Sequence, residues 1–194
     1  LGIVFYKYLS DTFLIKVYDL IYDEKPKSLK VALDAYKEAL EDESAEELKE
    51  QIKSECHYLI EPQLTYTCFA DAARNNAFNR ELLQKAFNNI EQSDPLFVDL
   101  FTDIDLYSNR LGNGDQKQSD TISSLVKEID KADLLNSDAE ILGNAYEYLI
   151  GQFASETGKK AGEFYTPQAV SKILTKIAIA GQENKKGLSV YDPC

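Results

Sequence analysis

Leu1-Gly-Ile-Val-Phe-Tyr-Lys-Tyr-Leu-Ser-Asp-Thr-Phe-Leu-Ile-Lys-Val-Tyr-Asp-Leu-Ile-Tyr22 opens the chain and decides its fold class. Leu1, Val4, Phe5, Tyr8, Leu9, Phe13, Val17, Leu20 and Ile21 recur at steps of three and four, the spacing of a helix. Apolar side chains go nearly all the way round, so this helix belongs in the middle of a bundle. Lys7, Asp11, Lys16 and Asp19 interrupt it. No apolar run in the chain reaches the roughly 18 residues that a spanning helix needs. The stretch also lacks the small-residue cleavage site of a signal peptide. The expectation is a cytoplasmic protein with no membrane partner.

Outward from that helix the pattern stays helical. Pro26 closes the first segment, and Lys27–Asp42 reads as a surface helix with Leu29, Leu33, Tyr36 and Leu40 on one face. Ser44-Ala-Glu-Glu47 is a capping-box pattern that starts a short helix through Lys53. His57-Tyr-Leu-Ile-Glu-Pro62 reads as extended or turn-like, because a residue before proline avoids the helical region. Helical patterns resume over 63–74, 78–92 and 121–131, and 106–119 is a polar loop. Ser137 or Asp138 can cap a further helix to about Glu156, with Gly143 and Gly151 inside it.

Charge divides the chain. The total is −12, from 21 basic and 33 acidic residues. Residues 159–194 hold six lysines against three acids, or +3, which leaves −15 on residues 1–158. Such an acidic body is repelled by DNA phosphates, so any attraction to DNA must come largely from elsewhere. Cys56, Cys68 and Cys194 form no CxxC pair, which suits a reducing compartment and argues against a disulfide framework or structural zinc. His57 is the single histidine and has no second histidine to share a metal or a proton with, so a structural role is expected. The chain starts at Leu1, contains no methionine and stops at Cys194 straight after a β-like run, so it reads as a piece of a longer protein.

Near residue 157 the character changes. Gly158-Lys-Lys-Ala-Gly162 is a flexible basic connection, a helix-forming run follows from Pro167 to Ala180, and Leu188-Ser-Val-Tyr191 reads as a strand. Helix, strand and Asp192-Pro193 are how the first turn of a nucleotide-binding α/β sheet opens. The expected fold class is therefore mainly α, an N-terminal helical bundle over 1–157 leading into the first helix and strand of a truncated Rossmann-like domain over 158–194.

The chemistry points to Gly162-Glu-Phe-Tyr-Thr-Pro167. Thr166 is a good N-cap and Pro167 suits the first helical position, where its missing N–H costs nothing. The helix starting there offers free backbone donors and the positive end of its dipole to a carboxylate or phosphate. Phe164 and Tyr165 add flat apolar faces. On its own this is also the pattern of any capped helix after a loop. Lys159 and Lys160 read as a solvated linker or as DNA contacts, and Asp192 as a turn residue or as the start of a binding motif.

Gly143-Asn-Ala-Tyr-Glu-Tyr-Leu149, Phe153-Ala154 and Gly158-Lys-Lys-Ala-Gly-Glu-Phe-Tyr-Thr-Pro167 together resemble the hallmark stretch of the modification subunits of Type I restriction-modification systems. Val190-Tyr-Asp-Pro193 is similar to that family's first strand, and Leu1–Asp11 resembles its first long helix. The resemblance implies an adenine DNA methyltransferase that methylates the exocyclic N(6) amino group. It implies that Glu163, Phe164, Tyr165, Thr166, Pro167, Gln168 and Asp192 line the site of S-adenosyl-L-methionine. It also implies DNA, a specificity subunit and a restriction subunit as partners, while the cysteine and histidine pattern gives no metal site. The family's Asn-Pro-Pro-aromatic motif, which holds the target adenine, is missing from these 194 residues, so no catalytic residue is assigned within them. Two other readings stay open: a helical protein–protein interaction module without catalytic role, and an adenine methyltransferase that stands alone or is fused to a nuclease.

Overall fold

The first helix forms where its periodicity places it. The structure, a computed structural model, describes residues 2–132, Thr166, 168–181, 185–187, Ser189 and Tyr191. The chain divides into two compact units, Leu1–Asp138 and Ala139–Cys194. In the first unit α1 (Gly2–Tyr22) runs through the interior and packs against α2 (Leu29–Ala39), α3 (Ala45–Cys56) and α4 (Tyr66–Arg74). Ile3, Tyr6, Leu9, Phe13, Leu14, Val17 and Tyr18 are all buried, which is the all-round burial its sequence calls for. Among the described residues the unit also holds the α-helices α5 (Arg80–Glu91) and α6 (Asp115–Asp130), and α6 lies against α4.

Local chemistry sets the helix ends. Ser28 Oγ accepts from the Val31 N–H at 3.3 Å and starts α2, and Asn79 Oδ1 accepts from the Glu81 N–H at 2.8 Å and starts α5. The expected capping box at Ser44–Glu47 is not made. Ser44 is not extended, and both its hydroxyl and its N–H donate to Asp42 Oδ1, at 2.9 and 3.0 Å. Asp42, two residues upstream, captures the donor that a box would need free. The helix also runs on past Lys53 to Cys56, where His57 ends it at φ +66°.

The core is aromatic and stitched by phenols. Tyr6 Oη donates to the Leu64 carbonyl at 2.7 Å, Tyr36 Oη to Ile60 at 3.1 Å, Tyr58 Oη to Leu9 at 3.0 Å and Tyr66 Oη to Val126 at 2.9 Å. Each ring fills core volume while its hydroxyl satisfies a backbone acceptor from a distant segment. Phe101 stacks on Phe87 at 4.4 Å and meets the Tyr6 ring edge-on at 6.2 Å.

The 106–119 loop needs correction. Leu106 is buried, and α6 begins at Asp115, not Thr121. The polar composition that reads as loop belongs to a buried network. Gln118 Nε2 donates to the carbonyls of Tyr107, Gly112 and Ser108 at 3.0, 3.2 and 3.3 Å, and its Oε1 accepts from Arg80. Arg80 lies 4.1 Å from the Tyr107 ring centre and bonds Asp115 at 3.2 Å. Gly112 turns the chain at φ +140°, where a Cβ would come within 2.7 Å of Lys117.

In the second unit the described helix is α7, Gln168–Ala178, inside the expected run 167–180. Among the described residues there is no strand, and Ser189 and Tyr191 of the expected strand 188–191 are in irregular backbone. A strand needs an edge to pair with, and no described residue supplies one. The expected helix over 137–156 and the boundary near residue 157 lie outside the described residues.

Candidate functional site

Of the residues singled out for binding, Thr166 and Gln168 are described, at the start of α7. Thr166 is exposed, and Gln168 is the first residue of the helix. Glu163, Phe164, Tyr165, Pro167 and Asp192 lie outside the described residues. A helix that begins at Gln168 leaves its first-turn N–H groups without intrahelical acceptors, with the positive dipole end beside Thr166. That donor set matches a carboxylate.

α7 is two-faced. Val170, Ile173, Leu174 and Ile177 recur at i, i+3, i+4 and i+7 and are all exposed, while Lys172 and Lys176 take the opposite side. An isolated helix of this length is marginal in water, so the open apolar face calls for a covering surface.

The first unit holds groups that sequence reading passed over. Lys7 and Asp11, which interrupt the apolar pattern of α1, form a buried i,i+4 ion pair with side chains 5% and 1% exposed. Lys7 Nζ also lies 5.4 Å from the Tyr66 ring centre. Their spacing was the available signal, because an acid four residues after a base on a helix puts both on one face. The pair borders a cleft of about 580 Å³ that Lys25, Lys27, Asp130 and Lys131 also line. Burial pushes the Cys56 thiol up, which makes it a weak nucleophile. His57 is an exposed helix end, in keeping with a structural role. No group of three or more potential metal ligands exists among the described residues, and no described helix is long and apolar enough to cross a membrane.

Residues 1–129 match the family described as the HsdM N-terminal domain, and residues 137–194 match the family described as N-6 DNA Methylase. The chain is 29% identical over 164 residues to the Type I restriction enzyme MpnII methylase subunit of Mycoplasma pneumoniae, covering 77% of this chain and 30% of that protein. It is 35% identical over 54 residues to the MjaIX methylase subunit of Methanocaldococcus jannaschii, 28% of this chain and 9% of that one. Among solved structures, the type I restriction-modification system methyltransferase subunit from Streptococcus thermophilus superposes with a TM-score of 0.82 at 45% identity, over 96% of this chain and 40% of its own. The chain thus spans well under half the length of the relatives it matches.

Proposed function

Because the chain belongs to the family of methylase, or modification, subunits of Type I restriction systems, we propose that its protein transfers a methyl group from S-adenosyl-L-methionine to the N(6) amino group of adenine in DNA. The observation that carries this reading is the order of the two family matches, a helical domain over 1–129 followed at once by the beginning of an N-6 methylase over 137–194. The second match begins before residue 157, so the change of character read there falls inside the methylase match and marks the entry to its cofactor-binding segment. Residues 158–194 open a Rossmann-like sheet whose first strand, Leu188–Tyr191, finds its partners in the rest of the catalytic domain, and that domain covers the exposed face of α7. The protein works in the cytoplasm.

S-adenosyl-L-methionine supplies a methyl group activated on a sulfonium. The start of α7 suits its methionyl end, since first-turn N–H groups and the exposed Thr166 hydroxyl are donors for a carboxylate. Glu163, Phe164, Tyr165, Pro167, Gln168 and Asp192 complete the wall. Phe164 and Tyr165 contribute apolar faces, and Glu163 and Asp192 accept hydrogen bonds. These residues hold and orient. Adenine must leave the helix to be reached, and holding it falls to the Asn-Pro-Pro-aromatic motif of the family. The rate then rests mainly on positioning. A specificity subunit chooses the site, a restriction subunit completes the assembly, and both are partners with DNA. The acidity of residues 1–158 favours protein contacts over free-standing DNA binding.

Calorimetry on the full-length protein checks the cofactor wall. Tyr165→Ala should weaken S-adenosyl-L-methionine binding about tenfold or more, by the usual cost of removing a buried aromatic contact. Unchanged affinity would mean that Glu163–Gln168 is not the cofactor site. Labelled-methyl transfer to DNA, with the specificity subunit added, tests the reaction itself, and no incorporation would overturn it.

A further inference from the structure

The segment between α5 and α6 is built to display apolar side chains. Phe97, Phe101, Ile104 and Leu106 point into the core: Phe101 is 4% exposed, Leu106 is 2% exposed, and Phe97 meets Tyr58 edge-on at 5.7 Å. The tip of Ile104 packs directly over Gly2, where an added Cβ would force the isoleucine side chain to move. Hydrogen bonds fix the segment further, from the Leu96 N–H to Asp94 Oδ1 at 2.9 Å and from the Phe101 N–H to Glu91 Oε1 at 2.7 Å. Between these anchors, Leu96, Val98 and Leu100 turn outward, at 82%, 60% and 38% exposure. Residues 96 to 100 span at most about 14 Å even fully extended, so the three exposed side chains lie close together on this segment. A well-anchored segment with three aliphatic side chains in water is the usual mark of a contact surface.

Its charge says what kind of contact. From Ser93 to Asn109 there are four aspartates, Asp94, Asp99, Asp103 and Asp105, and no lysine or arginine. None of the four is in an ion pair with another described residue, and Asp99, Asp103 and Asp105 are exposed. An acidic rim around an apolar centre repels a phosphate backbone and attracts a segment that carries lysines or arginines beside apolar side chains. A polypeptide that reads DNA has that composition, since it must neutralise phosphates. We propose that the Leu96-Val98-Leu100 patch with its aspartate rim docks a basic, apolar segment of the specificity subunit. This rests on the function proposed above.

The test uses the full-length protein and the purified specificity subunit from the same system. Leu96→Ser with Val98→Ser should weaken that complex at least tenfold, with thermal unfolding and S-adenosyl-L-methionine affinity unchanged, because both side chains are already in water. Asp99→Asn, Asp103→Asn and Asp105→Asn together should slow association several-fold at low salt and flatten its salt dependence. Wild-type affinity in both variants overturns the proposal, and so does an effect of the serine variant on self-association instead. A salt dependence left unchanged by the asparagine variant rules out a basic partner. Wild-type protein that binds S-adenosyl-L-methionine and methylates DNA but forms no complex refutes this docking alone, whereas loss of both activities refutes the proposed function.

Discussion

Lys7 and Asp11 show what one pair of residues does inside a helix of apolar neighbours. The pair is buried against Tyr66, and its attraction offsets a desolvation cost that neither charge could bear alone. Asp11→Asn should therefore cost about 3–5 kcal/mol by stranding the Lys7 ammonium, while Lys7→Met with Asp11→Leu should restore most of that stability. Urea unfolding of the three proteins separates the cases, and equal losses in the single and double variants would refute the account. The phenol stitches make a second case. Tyr36→Phe leaves the buried Ile60 carbonyl without its donor and should cost about 1–3 kcal/mol in the same measurement. The i,i+4 spacing shows that Lys7 and Asp11 can pair, but neither the burial of the pair nor the phenol stitches is legible in the sequence. Apolar periodicity counts tyrosine as filling and a lysine or aspartate as an interruption, and is silent on which carbonyl or charge a side chain will meet.

Elements were legible where their periodicity was strong. α1 was visible because its apolar residues are too many and too regular for anything else, and α2, α4 and α5 were found within a few residues of their ends. α6 was read as starting at Thr121 because Asp115–Asp120 carries a loop-like composition. Those polar residues belong to a helix whose Gln118 turns back on the preceding chain. Gln118→Ala should leave the carbonyls of Tyr107, Ser108 and Gly112 unsatisfied and release the Arg80 clamp. Hydrogen exchange should then speed up over residues 107–114 and stay near wild type in α1, and uniform acceleration would argue for global destabilisation instead. Of the proposed cofactor wall, the sequence offered a capped helix start, and α7 does begin at Gln168. The apolar side of α7 was legible as a period; that it is left open was not, because coverage depends on surfaces distant in sequence.

Across the whole molecule, the buried tyrosines predict an alkaline limit to stability. Burial holds the phenols of Tyr6, Tyr36, Tyr58 and Tyr66 above their ordinary range. Unfolded tyrosines titrate near 10, so the stability tied to these protons is complete below about pH 10 and is lost as pH rises toward the folded values. The unfolding free energy from denaturant titrations should hold flat to about pH 9.5 and then fall, by up to about 1.4 kcal/mol per pH unit for each tyrosine. A flat profile to pH 11 would mean that the four are not protected. The mainly helical class of the first unit was legible in patterning, but its long-range architecture was not, because it rests on pairings such as Tyr6 with Leu64 and with Phe101. Those pairings also set a schedule for synthesis. Helix α1 leaves the ribosome with apolar side chains on nearly every side, and Phe101, the last of the three phenylalanine rings that meet Tyr6, follows about 95 residues later. At translation rates of roughly 5–20 residues per second, the cover that α2 begins is completed only on the order of 5–20 s later. The nascent chain is therefore a natural client for a chaperone that shields exposed helices.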